Sequence, residues 1–310
     1  MRSLLLAPVL IAGLIGLSGC DIEDFGSFGR YSKDFHYSYP LKPGGRVSIE
    51  SFNGSVELSS WDQDTVDVSG SKYGPTQEGA EAVKVDVDNS PDSVSIRVVR
   101  PSERRGNWGA RFAVRMPKRA LVDLIKTSNG AIRVVDGTGP ARLRTSNGAI
   151  RVQGLTGGVE AQTSNGTVEL VDVEGDVTAR TSNGRIHADN LKGGLQASTS
   201  NGAITATLAS GVSGRPLRLD TSNGGVDLTL PEKFDSDVRV GTSNGHITLH
   251  MSGAVNARVL ARTSNSSIST DFDVRMQGEF NKNHMDGVIG TGGPLLDLNT
   301  SNGGIRLARM

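Results

Sequence analysis

Glu160 and Glu169 are the nearest this chain comes to a carboxylate pair of the kind that cleaves glycosidic bonds. That chemistry needs an acid facing a base or nucleophile across the scissile bond. Neither residue occupies a repeated acidic position, so two solvated surface acids is the simpler account. His246 and His250 are four apart, as metal ligands on one helix face would be. Ile247, Leu249 and Met251 alternate as in a strand, however, which sets the two imidazoles about 13 Å apart, too far for one metal. No metal site and no cofactor is expected. The Gly-rich run Gly287-Val288-Ile289-Gly290-Thr291-Gly292-Gly293 lacks the Lys-Ser/Thr of a phosphate loop and no helix follows it, so it reads as a long turn. Charge gives a stronger signal. Residues 97–151 hold 13 basic and 3 acidic side chains in a chain of 33 and 33. Arg100, Arg104, Arg105, Arg111, Arg115, Lys118, Arg119, Arg142 and Arg144 make up a candidate anion-binding patch. Its expected partners are anionic lipid headgroups, an acidic glycan or an envelope protein, with nucleic acid a poorer fit. The plainer alternative is a solvated face that keeps strand edges from aggregating.

A different chemistry is written at the start. Arg2 precedes an apolar run that ends in Leu17-Ser18-Gly19-Cys20, too short to span a bilayer and closed by small residues, as a signal peptide is. Leu-Ser-Gly-Cys resembles the lipobox of bacterial lipoproteins, which implies cleavage after residue 19 and an acyl chain, such as palmitate, on Cys20. Cys20 is the only cysteine, so no intramolecular disulfide is available. Acyl attachment makes a peripheral protein, with an exported domain on the inner or outer membrane of the cell envelope.

The elements that must position these groups come from a repeat. Thr-Ser-Asn-Gly begins at Thr127, Thr145, Thr163, Thr181, Thr199, Thr221, Thr242 and Thr300, with Thr263-Ser264-Asn265-Ser266 as a variant. The first four intervals are each 18 residues, and a fixed short period signals one unit stacked on itself. With Thr as position 0, apolar residues fall at 5 and 7 and often at 10, 14 and 16. Spacing of two is strand alternation, and no run has helical spacing. Glycine at position 12 (Gly139, Gly157, Gly175, Gly193, Gly211) adds a second corner. The expected fold is all-β, a single-chain β-solenoid of about 18–22 residues per turn, with a perimeter of about 60 Å at the usual strand rise and room only for its own core. Ser-Asn-Gly is expected to turn each corner through residues that tolerate positive φ. Stacking would put Asn129, Asn147, Asn165, Asn183, Asn201, Asn223, Asn244, Asn265 and Asn302 in one column, an amide ladder of the cross-β kind.

The organisation that follows is a signal peptide over 1–19, a lipidated tether over 20–30, a strand-rich N-terminal cap over 31–126 and repeats over 127–310. Within the cap, Val47, Ile49, Ser51-Phe52-Asn53-Gly54, Val56, Leu58 and Trp61 form a degenerate repeat. Asn53 to Trp61, the Thr-Ser-Asn-Gly copies and Gly287 to Gly293, in that order, resemble the bacterial putative-adhesin β-strand repeat family, a domain of unknown function. The resemblance covers about residues 31–310. It implies a β-solenoid on exported or membrane-attached proteins and brings no catalytic residues. The expected function is a lipid-anchored, non-enzymatic binding, adhesin-like or scaffold protein of the envelope. The alternatives are a carbohydrate-active β-helix enzyme and an accessory subunit of an envelope-stress sensing system.

Overall fold

A computed structural model describes residues 31–101, 106–209, 215–277 and 281–310. Across these residues the chain is all-β, with one six-residue helix, Gln77–Ala82, begun by Thr76 as its side chain accepts from the Gly79 amide. No helix among the described residues is long and apolar enough to cross a membrane. Two long sheets of 13 and 14 strands face each other, and successive strands of the repeats go alternately to one and the other.

The 18-residue period becomes strand pairing. Ile132, Ile150, Val168, Ile186 and Ile204 stand side by side in parallel register, followed by Val226, Ile247 and Ile305. In the other sheet Leu143, Ala161, Ala179, Ala197, Leu219, Val240 and Leu298 do the same. All are at most 2% exposed. The two rows close on each other, so each layer is stabilised only by the layers above and below.

Alternation alone does not explain position 10, which is out of phase with 5 and 7. Position 9 resolves this. Asp136, Gly154, Asp172 and Asn190 occupy it in successive repeats, all with φ between 52° and 67°. A left-handed residue there makes a bulge that returns the next side chain to the core, and Leu155, Val173 and Leu191 are fully buried. Asp, Asn and Gly are the residues that bear this conformation at least cost. Where the bulge is missing the register slips by one, and Leu208 pairs with Leu191. In the degenerate repeat Ser60 stands at position 9 without a positive φ. Its neighbour Trp61 accordingly stays on the outer face, half-buried.

Sequence order is not stacking order at either end. Arg46–Glu50 lies between Ser93–Val99 and Leu121–Lys126, and Val56–Trp61 between Gly109–Pro117 and Ile132–Val135. At the far end Leu295–Thr300 lies between Val238–Gly241 and Ala257–Thr263, and Ile305–Arg309 between Ile247–Met251 and Ile268–Thr270. The last repeat in the chain is thus clasped inside the stack. Antiparallel strands finish both ends: Tyr31–Pro40 on Thr65–Gly74 and Lys84–Ser90 on Ser93–Val99 at one, His284–Ile289 on Ala257–Thr263 and Val274–Met276 at the other.

Two expectations need correction. The Gly287–Gly293 run is not one long turn. Gly287, Val288 and Ile289 complete an antiparallel strand, and only Gly290 and Gly292, with φ of 61° and 86°, turn the chain. The glycines of Ser-Asn-Gly do not supply positive φ in the regular repeats; the position-12 glycines do, as at Gly157 with φ of 129°.

Candidate binding surface

What the Ser-Asn-Gly glycine supplies is close approach. A Cβ on Gly166 would lie 2.0 Å from the Gly148 carbonyl oxygen, and the same contact recurs from layer to layer. The corner backbones stack too tightly for any side chain. Ser266 is the one departure, and it lies beside Ile268–Thr270, the edge strand of its sheet, in a layer met from outside by the Lys282 and Asn283 carbonyls and by no further regular corner among the described residues.

Each corner divides its polar groups. The Thr hydroxyl turns inward and donates to the glycine carbonyl of the preceding layer: Thr145 to Gly130, Thr163 to Gly148, Thr181 to Gly166, each at 3.0 Å. The arrangement continues to Thr263, which donates to Gly303 at 2.8 Å. These threonines are buried with their polar atom satisfied. The neighbouring Ser and Asn are exposed at every corner. Asn129 Nδ2 donates to Asn53 Oδ1, Asn147 to Asn129, Asn165 to Asn147, Asn183 to Asn165, Asn201 to Asn183, Asn223 to Asn201 and Asn244 to Asn223, at 2.6–2.9 Å. Asn302 then donates to Asn244 and Asn265 to Asn302, following the clasped order. At the other end Asn53 donates to the Trp108 carbonyl at 2.8 Å. All the amides point one way, so their dipoles add along the column.

The basic residues do not share one face. Arg111 and Arg115 lie on the 13-stranded sheet, Arg142 and Arg144 on the 14-stranded sheet. Most are engaged. Arg142 bonds Asp123 at 2.6 Å, Arg144 bonds Glu160 at 2.9 Å and Lys118 meets Asp62 at 2.8 Å. Arg100 lies over Phe52 and Arg111 over Tyr73. Arg119 is exposed in the turn before Ala120. Arg104, Arg105 and Cys20 lie outside the described residues, as does Gly211.

The carboxylates are similarly dispersed. Glu160 stands on the 14-stranded sheet and Glu169 on the 13-stranded sheet, where it pairs with Arg151 at 3.1 Å. They cannot flank one bond. His250 faces Asp227 at 3.5 Å, while His246 Nδ1 accepts from the Gly304 amide at 3.0 Å. No cluster of metal-ligating side chains occurs among the described residues.

One polar cluster was not read from the sequence. Asp67 follows Val66 on a strand and by alternation faces outward, yet its side chain is only 10% exposed. Arg115 at 3.1 Å and His36 Nε2 at 2.6 Å cover it, and the Arg115 guanidinium lies 4.4 Å from the Trp61 ring centre. Burial pushes the Asp67 carboxyl up, but the hydrogen bonds from His36 and Arg115 outweigh this and hold it below its ordinary value. Cross-strand neighbours hold the cluster together, which spacing along the chain could not reveal.

Among solved structures the chain is similar to a putative adhesin from Bacteroides fragilis, with 10% identity, 89% of this chain and 97% of the other covered and a TM-score of 0.38. It is also similar to a putative cell adhesion protein from Clostridium sporogenes (10% identity, 90% and 100% covered, TM-score 0.23) and a putative adhesin from Parabacteroides distasonis (9%, 89% and 97%, 0.24). No curated protein sequence matches it. Residues 159–309, from the third Thr-Ser-Asn-Gly repeat's approach to the clasped last layer, match the model of DUF7330, a domain of unknown function.

Proposed function

We propose that the protein is a lipid-anchored, non-catalytic β-solenoid of the bacterial envelope whose stacked layers present an adhesin-like binding or scaffold surface. The observation that carries this reading is the unbroken amide column, from Asn53 to Asn265, on a backbone whose corners touch in every layer. Such a stack is stiff along its length. It offers the same exposed Ser and Asn at each step, so a long partner can be met many times by one rigid array. The charged groups of the outer faces support the same reading. Among the described residues many are joined in pairs such as Arg151–Glu169 and Arg239–Asp297.

Anchoring and binding are tested separately. Expression with labelled palmitate should mark the native chain in the membrane fraction. Cys20→Ala should lose the label and move the protein to the soluble fraction; retention on the membrane without label would overturn the anchor. Pull-down from intact envelope with the lipidated chain should then recover a partner, and glycan turnover by the purified protein would contradict the non-catalytic reading. Binding to anionic vesicles that weakens as salt is added would assign a role to Arg100, Lys118 and their neighbours, and salt-insensitive or absent binding would remove it.

A further inference from the structure

Four strand edges bound the two sheets among the described residues, and they are not equivalent. An open edge is a template for another chain unless something blunts it. Ile268–Thr270 and Val274–Met276 are three residues each, too short to hold a partner. Lys84–Ser90 is longer, but laid antiparallel on itself about Val87 it would set Asp86 against Asp88 twice, and like charges directly opposite repel. Tyr31–Pro40 has neither protection. It runs ten residues and is paired on one side only, with Thr65–Gly74, and Tyr31 is 46% exposed.

The sequence of that strand is complementary to itself about Phe35. Asp34 mirrors His36, Lys33 mirrors Tyr37, Ser32 mirrors Ser38 and Tyr31 mirrors Tyr39. We propose that the protein forms a symmetric dimer in which Tyr31–Pro40 pairs antiparallel with the same strand of a second copy, the two-fold axis passing through Phe35.

Three observations select this pairing. A two-fold axis perpendicular to a sheet preserves its faces, and the mirror about Phe35 pairs even residues with even ones. The exposed set Ser32, Asp34, His36 and Ser38 of one copy therefore meets the exposed set of the other. Second, the pairing brings opposite groups together twice, Asp34 to His36 in each direction. His36 already engages Asp67 through Nε2, which leaves its Nδ1 for the second copy's Asp34. Sliding by one step in either direction sets Asp34 on Asp34 or His36 on His36 and forfeits both contacts. Third, Pro40 has no N–H to give, so the ribbon stops there and cannot run on. An isologous contact of this kind closes at two copies and consumes the one unprotected edge.

The test uses the full chain in detergent, with molar mass read by light scattering across a dilution series. The native protein is expected at twice the mass that the same preparation shows as single denatured chains. In the variant S32K/S38K, each new lysine faces a lysine of the other copy, and the dissociation constant should rise roughly tenfold. In S32K/S38E each lysine faces a glutamate and the dimer should return. Both positions are exposed, and unchanged circular dichroism would show that the fold is kept. A monomeric native chain, equal behaviour of the two variants, or assemblies larger than a pair would each overturn the proposal.

Discussion

A single asparagine in the middle of the column takes part in two side-chain bonds, accepting from the next layer and donating to the one before. Asn165 is such a residue, bonded to Asn183 and Asn147. Asn165→Ala should lower stability by about 1–2 kcal/mol, since each net hydrogen bond is worth roughly 1 kcal/mol at an exposed site. Asn265→Ala at the end removes one bond and should cost about half as much; denaturant midpoints compare the two. Equal costs would mean that the column is a by-product of stacking. Asp67 makes a pH-dependent counterpart. Its folded-state value lies below the ordinary carboxylate value of 3.8. Its contribution is therefore fully present above that value and is lost as pH falls through the folded one. Asp67→Asn should destabilise the protein at neutral pH, and thermal midpoints of the two chains should converge in strong acid. The difference persisting in acid would show that packing, not charge, makes the contribution. The asparagines were visible in the sequence because their period is the stacking period. Asp67 was not, because His36, Arg115 and Trp61 reach it from other strands.

At the scale of the element, each layer is two strands and two corners, and the corners use glycine for different reasons. Gly157 combines a φ of 129° with a Gly139 carbonyl oxygen 2.6 Å from where a Cβ would lie, whereas Gly166 is needed for close approach alone, because the backbone of the preceding layer leaves no room for a Cβ. Gly166→Ala should therefore be severe, costing upward of about 4 kcal/mol or abolishing folding, because the atom it meets is a main-chain oxygen that cannot move without opening the stack. Ser266→Gly, beside the edge strand, should leave the thermal midpoint nearly unchanged. Both glycine positions could be found from the period, but composition alone could not assign the reasons. The residues at position 9 carry a similar lesson. Asp, Gly, Asp and Asn share no side-chain chemistry there, and they are the hinge that lets position 10 enter the core.

For the whole molecule, the clasped ends change what a terminus means. In a stack built in chain order, losing the last repeat removes one interface. Here Leu295–Arg309 touches layers on both sides, so a chain ending at Pro294 should lose two. Faster hydrogen exchange through Val238–Met251 and Ala257–Thr270, with a marked fall in thermal midpoint, is the expected result; protection unchanged there would contradict the inserted order. The sequence by itself determined the period, the two-strand layer, the inward rows and the alignment of the asparagines, because these are consequences of an 18-residue repeat that local alternation makes legible. The tertiary structure decided the insertion of the first and last layers, the dispersal of the basic and acidic groups onto opposite sheets, and the burial of Asp67. Those depend on which strand lies beside which, and pairing between strands far apart in the chain is set by how the open ends of the stack are covered, which no local pattern encodes.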